Sequence, residues 1–396
     1  MRLTGRLVAD ASEVTVETRG DRIAHITPGL DPTAVGGADV WLAPGFHDLQ
    51  VNGYRGNDFN AGSWRSEADA APDLGALVSD LAAHGTALLC PTVVTDALDL
   101  MEMNLRRIAE ALDRDPRFRR AVTGIHLEGP FLSAEDGPRG AHPLEHIMVP
   151  DYDVFRRLQK AARGNVRLFT LAPELPGALA LIERLAADGV TVAIGHTGAT
   201  PAQIRDAVAA GATVSTHIGN GCHARLPRHG SYLWEQLACD ALIATMIVDG
   251  RHLEPAEARV FVRAKQPSRV AWISDAVTLG GLPPGRYGGG RFEVMPDGSI
   301  TLAGTPYLAG AAWLLDTCVA NALRWTDVSL PEAVGGATEV PARALRLPNK
   351  GRVAVGYDAD LTLFRIPEDG PLQIVATVTG GELAYRADHA QGHHVA

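Results

Sequence analysis

VTVAIGHTGATPAQIRDAVAAGATVSTHIGNG, residues 190–221, decides the fold. It opens on a short apolar run that reads as a strand. PAQIRDAVAAG follows with helical apolar spacing, Pro201 near its start and Gly211 just past its end, the positions these residues favour around a helix. ATVSTHIGNG is a second strand. The unit is β–α–β, and each strand delivers a histidine, His196 and His217, at its C-terminal end.

The same alternation continues on both sides. GTALLCPTVV, VTGIHLEGPFL, VRLFTLAPE, ALIATMIVDG and RVAWISDAV read as strands. DALDLMEMNLRRIAEALDRD, GALALIERLAADG and LAGAAWLLDTCVANALRW read as helices, and SLPEAVGGATEVPARAL contains one more. Repeated β–α units over about 300 residues predict an α/β fold, a (β/α)8 TIM-like barrel. A doubly wound open sheet is the alternative, weakened because no G-x-G-x-x-G turn follows the first strand. Both ends of the chain are instead β-rich: RLVAD, EVTVETRG and DRIAHITPG at the start, then GRVAVGYDADLTLFRI and LQIVATVTGGELAYR near the finish. The expected organisation is a small β-sandwich domain built from residues 1–43 plus 350–396, and a catalytic β/α barrel over 44–349. Asp358 and Asp360 read as turn and strand-start residues.

With 396 residues, 46% hydrophobic and 21% charged, the chain can bury a large core. A net charge of −10 argues against general binding to nucleic acid or anionic membranes. MRLTGRLVADASEV lacks the apolar centre of a signal peptide, and no run of 18 apolar residues occurs, so the expectation is a cytoplasmic protein with no membrane partner. Cys90, Cys222, Cys239 and Cys318 have no paired spacing and read as reduced thiols. The polar tail with His389, His393 and His394 is expected to be idle.

Rare polar groups sit where barrel active sites are built. Glu128 follows GIHL, His196 follows VAIG, His217 closes VSTH and Asp275 follows VAWIS. Strand ends of this kind converge on one face. Two histidines and a glutamate supply three ligands of a catalytic zinc-type site, with a coordination position left over. A metal so held lowers the pKa of a water and polarises a carbonyl, and Asp275 is placed as a base. His126 lies two residues before Glu128 on the same strand face. His142 lies in the loop GPRGAHP, and Asn220 sits between two glycines that allow close backbone approach. CHARLPRHG gathers His223, Arg225, Arg228 and His229 into a cationic loop, either an anion site or a solvated one. In APGFHDLQVNG, residues 43–53, Gln50 and Asn52 stand where many metal-dependent hydrolases carry His-x-His; His47 falls on the other face of that strand and reads as a non-ligand.

With PGFHDLQVNG, HLEGPFL, GAHP, GHTGAT, THIGNG, DGRHL, SDAV and LAGT in this order, the sequence resembles the N-acetylglucosamine-6-phosphate deacetylase family of the amidohydrolase superfamily. The resemblance implies that Glu128, His196 and His217 bind one divalent metal per subunit, zinc first, with iron, manganese or cobalt as alternatives. It implies Asp275 as base and later acid, and His142 as a group that polarises or binds the substrate. Ala141, Asn220 and Gly221 would contact the sugar, and Arg228 and His252 would form a phosphate clamp reaching into the neighbouring subunit of a homodimer. Gln50 and Asn52 would bond water or substrate beside a single ion. Relatives commonly read LFNAM after the metal histidine; this chain reads IGNGC, then HARLPRHGSYLWEQL. Three functions therefore stand: hydrolysis of an N-acetylated amino sugar phosphate, an amidohydrolase reaction on another N-acyl or cyclic amide with the clamp altered, and a silent barrel that binds a sugar phosphate.

Overall fold

The computed structural model describes residues 1–60, 72–305 and 308–387, and the structural statements below concern those; His389, His393 and His394 lie outside them. Strands β1 (Arg2–Leu7), β2 (Glu13–Arg19), β3 (Arg22–Pro28) and β4 (Val35–Pro44) come first. Then come β5 (Phe46–Val51) and a small hairpin of β6 (Gly53–Tyr54) and β7 (Asn57–Asp58). The barrel continues with β8 (Thr86–Val94), β9 (Ile125–Glu128), β10 (Val166–Leu171), β11 (Thr191–Ile194), β12 (Ala212–Ser215), β13 (Ile243–Met246) and β14 (Val270–Trp272). An insert holds β15 (Gly285–Tyr287), β16 (Phe292–Val294) and β17 (Ile300–Leu302); β18 (Leu361–Arg365), β19 (Gln373–Thr379) and β20 (Glu382–Arg386) end the chain's regular structure.

Eight strands run parallel in the order β5-β8-β9-β10-β11-β12-β13-β14. The ring closes through a parallel bridge between Val51 and Ala276, just beyond β14. Across this seam Asp275 N–H donates to the Gln50 carbonyl at 2.9 Å, and buried Asp48 accepts from Ser274 N–H at 3.2 Å. The expected barrel is what forms.

The deciding stretch folds as read. Helix Pro201–Ala210 starts on Thr200, whose hydroxyl accepts from Gln203 N–H in a capping box, and stops at Gly211 with φ +119°. Inside the barrel, Leu49, Leu168, Ala193, Val214 and Ala271 pack as one core; Val340 and Ala344 of helix Glu339–Ala344 plug its N-terminal end. Above that core Thr92, His126, Thr170 and Thr216 form a hydrogen-bonded row: His126 Nε2 lies 2.8 Å from Thr170 Oγ1, which lies 2.8 Å from Thr216 Oγ1. The row satisfies these buried polar groups beneath the strand ends.

The two ends of the chain meet in one seven-stranded sheet, β20-β19-β18-β4-β1-β2-β3. Its join is the antiparallel pairing of β4 with β18, Ala43 opposite Thr362. Only Gly45 separates β4 from β5. A Cβ there would stand 2.5 Å from the Ala87 Cβ and 3.1 Å from the Asp360 carbonyl carbon, so the sheet and barrel can approach this closely only through glycine. Asp358 and Asp360 pair with Lys350 at the entry to β18.

Three segments differ from the sequence expectation. The helix read over 308–325 begins only at Leu315. Before it, Gly310 takes φ +92° and Ala311 pairs with Ala276, so this stretch extends the barrel seam instead of coiling. The region 329–345 holds two helices, Leu330–Gly335 and Glu339–Ala344, interrupted after Gly335. RLVAD is placed too late: the first strand ends at Leu7.

Candidate active site

The C-terminal ends of the barrel strands open into a cavity of about 420 Å3. Glu128 ends β9, His196 follows β11, and His217 follows β12. Their side chains converge: Glu128 Oε1 lies 3.1 Å from His196 Nε2 and 2.9 Å from His217 Nε2, and the two ring nitrogens are 3.1 Å apart. All three residues are buried. His196, His217 and Asp275 each hold left-handed backbone, at φ +50°, +26° and +49°. Such conformations cost of order 1–3 kcal/mol each and survive where surrounding structure imposes them.

The donor set fits a divalent cation. His196 Nδ1 lies 2.8 Å from the Pro138 carbonyl, which can only accept, so Nδ1 carries a proton and Nε2 is the nitrogen turned toward Glu128 and His217. Burial alone would raise the Glu128 carboxyl, but bonds to His196 and His217 outweigh it and hold Glu128 well below the usual carboxylate range. Burial likewise opposes a charged His217, and its bond to Glu128 raises it nonetheless. Gly221 completes the cradle. A Cβ there would stand 2.8 Å from His196 Nδ1, and the residue also needs φ +55°.

Asp275 faces this group across the seam. Its Oδ1 accepts from Asn52 Nδ2 at 2.7 Å and from Gln50 Nε2 at 3.1 Å; the same Gln50 nitrogen donates to Glu128 Oε1 at 3.1 Å. Gln50 is thus a neutral bridge between the two carboxylates, and Asn52 is a second donor to Asp275. Burial first, then the Glu128 charge, pushes Asp275 up to about 6. His142 Nε2 sits 3.3 Å from His196 Nε2, and burial, with the His196 ring next, holds His142 down at about 3, a neutral imidazole.

Ala141, Asn220, Gly221 and His252 line the cavity with these groups. Asn220 Nδ2 and Asn52 Oδ1 are buried without a hydrogen-bond partner among the described residues, ready to serve a ligand. His252 is fixed by Asp249, Nδ1 to Oδ2 at 2.8 Å. Arg228 and Arg225 stay exposed on their loop and do not line the cavity in the single chain. His223 of that loop bonds Glu135 and Tyr232 instead. His47 bonds Thr123 through Nε2 at 2.8 Å, away from the cavity.

Sequence reading passed over Asp58, Asn60, Thr278 and Arg291, which also line the cavity, and Asp249, which holds His252. Asp58 and Asn60 come from the hairpin after β5, and Arg291 from the insert, regions with no barrel periodicity to mark them.

The amidohydrolase family profile matches residues 41–384. The chain belongs to the amidohydrolase family. Within the family, its similarity is to the N-acetylglucosamine-6-phosphate deacetylases. The enzyme of that name from Bos taurus is 36% identical over 362 residues, 88% of this chain and 85% of its own. The crystal structure of the Mycobacterium smegmatis deacetylase superposes with a TM-score of 0.84 at 31% identity, covering 97% of this chain and 99% of that one. An aspartate-to-alanine mutant of that protein, in complex with N-acetyl-D-glucosamine-6-phosphate, matches with a TM-score of 0.83 at 30% identity over 97% and 99% of the two chains. In this chain Gln50 and Asn52 stand beside one buried Glu/His/His group, Glu128, His196 and His217, among the described residues.

Proposed function

We propose that this amidohydrolase removes the acetyl group of N-acetylglucosamine 6-phosphate, giving glucosamine 6-phosphate and acetate. The observation that carries the reading is Asp275, a partly buried carboxylate oriented by two amides beside the Glu128, His196 and His217 cluster.

Glu128, His196 and His217 would hold one divalent cation per subunit, zinc first, with iron, manganese or cobalt acceptable to the same donors. When bound, the cation supplies Lewis acidity toward the amide carbonyl and acidifies water. Asp275 takes the proton from the attacking water and returns it to the leaving nitrogen, the acid that a poor amine leaving group needs. Gln50 and Asn52, donating to its Oδ1, keep that carboxylate aimed. His142, neutral because buried, positions the amide oxygen without adding charge. Ala141, Asn220 and Gly221 contact the sugar, and the unpartnered Asn220 Nδ2 supports this.

Arg228 with His252 forms the phosphate clamp when two subunits associate. The exposure of Arg228 supports a role across a homodimer interface, which light scattering would test. The free thiols support a cytoplasmic setting, and no helix among the described residues is long and apolar enough to cross a membrane. Residues 1–43 with 350–396, and 44–349, are proposed as the two folding units.

Acetate release from N-acetylglucosamine 6-phosphate tests the reading. No release with zinc, iron, manganese and cobalt each supplied overturns it. The unlined position of Arg225 and Arg228 favours one second reading, an amidohydrolase acting on another N-acyl or cyclic amide. A panel of N-acyl hexosamines, with and without the 6-phosphate, separates the two.

A further inference from the structure

Among the described residues, Arg291 is the single arginine or lysine that lines the cavity. No barrel strand carries it. It precedes β16 in the three-stranded insert, which leaves the barrel after Asp275 and returns through Leu308, Ala309 and Gly310, cavity residues themselves. The insert therefore spans one side of the mouth.

Arg291 has a fixed backbone and a head with no ion-pair partner among the described residues. Its N–H donates to the Gly288 carbonyl at 3.3 Å, and its own carbonyl accepts from Ala303 N–H at 2.9 Å. Gly288, Gly289 and Gly290 reach it through φ +58°, +66° and +89°. A Cβ at Gly289 or Gly290 would meet no atom, so this glycine run serves the path of the turn rather than clearance. The guanidinium lies 5.1 Å from the Phe292 ring centroid, and no carboxylate pairs with it among the described residues. By contrast Arg139 and Arg251, each next to a lining residue in sequence, are paired with Asp136 and Asp297.

The cavity is thus polarised. Carboxylates and imidazoles occupy the floor, and one cation without a carboxylate partner among the described residues stands on the insert. An anionic group on a ligand would be repelled by Glu128 and Asp275 and attracted by Arg291. We propose that Arg291 is a phosphate contact supplied by the same subunit, separate from any contact across an interface, for a substrate whose amide lies over the floor. The inference rests on the reaction proposed above. A guanidinium fork matches a phosphate monoester, and one charge-assisted contact of this kind is worth about 10- to 100-fold in recognition.

The test compares kcat/KM for N-acetylglucosamine 6-phosphate and for N-acetylglucosamine in the metal-loaded wild type, R291M, R291K and R228M, each checked for an unchanged melting temperature. The expected result is a fall of about 10- to 100-fold in the phosphorylated-to-unphosphorylated ratio for R291M, with partial recovery in R291K. A ratio unchanged in R291M, or lowered in R228M alone, overturns the inference. Calorimetric titration with inorganic phosphate gives an arm independent of turnover: binding weakened in R291M supports the contact and binding unaltered refutes it. If the wild type deacetylates neither sugar, the proposed reaction fails, and the phosphate titration alone decides Arg291.

Discussion

Asn52 Nδ2 donates to Asp275 Oδ1 at 2.7 Å across the seam where the first and last barrel strands meet. The proposed base is therefore held by the strand that lacks His-x-His. One neutral amide, Gln50, bridges two carboxylates that would otherwise repel, and no second cation is needed to separate them.

Replacing Asp275 with Asn removes the proton acceptor and keeps the shape. Turnover should fall about 100- to 10,000-fold, the range for a general acid–base group. Metal content measured by atomic absorption should stay at one per subunit. Unchanged turnover would show that the base lies elsewhere.

Asp275 also sets a pH dependence of stability. In the metal-free protein its carboxyl is raised from 3.8 to about 6, so the fold favours the neutral acid. That contribution is whole below 3.8 and is lost as pH rises through about 6; a bound cation opposes the loss. Metal-free wild type should lose melting temperature relative to metal-free Asp275→Asn across this window. Parallel curves for the two proteins would refute the assignment.

Metal uptake should release protons. His217 is raised through its bond to Glu128 despite burial, and a protonated imidazole cannot be a ligand. Zinc affinity should therefore weaken with acidification, as read by competition with a chromogenic chelator at several pH values. Glu128→Gln should lower the affinity at every pH and flatten this dependence.

Gly221→Ala brings a methyl to 2.8 Å from His196 Nδ1 and strains a left-handed position. Zinc affinity should fall about 10- to 100-fold, the usual effect of disturbing what orients a ligand. Circular dichroism should report an intact barrel, because Gly221 lies beyond β12.

Gly45→Ala meets Ala87 at 2.5 Å, where sheet and barrel touch. Overpacking of this kind costs about 1–3 kcal/mol. Urea unfolding should register it, and the site should keep its zinc affinity if the damage stays local.

Much of this was legible in the residues. Strand-end positions and a β–α–β rhythm located Glu128, His196, His217 and Asp275, because a barrel brings strand ends together regardless of their separation along the chain. Gln50 and Asn52 were legible by the period of two. Arg291 and Asp249 were not. Arg291 belongs to an insert whose placement over the mouth depends on tertiary packing, and Asp249 matters only through His252. The extended path at 308–314 was also hidden. Its composition suits a helix, and the pairing of Leu308 with Thr301 and of Ala311 with Ala276 overrides that preference.

The pairing of β4 with β18 has a consequence for how the molecule is made. A ribosome delivers β4 before any part of the barrel and β18 after all of it, so Leu42 must wait through most of synthesis for Leu363. Until then the start of β5 has its pairing with β8, Phe46 opposite Thr86, but lacks the Phe46 N–H contact with the Thr362 hydroxyl at 3.4 Å and the Gly45 N–H bond to the Asp360 carbonyl at 2.8 Å. Gln50 and Asn52 ride on that strand. A half-made chain can thus carry both histidines, the glutamate and Asp275 while the junction between sheet and barrel is still open on one side.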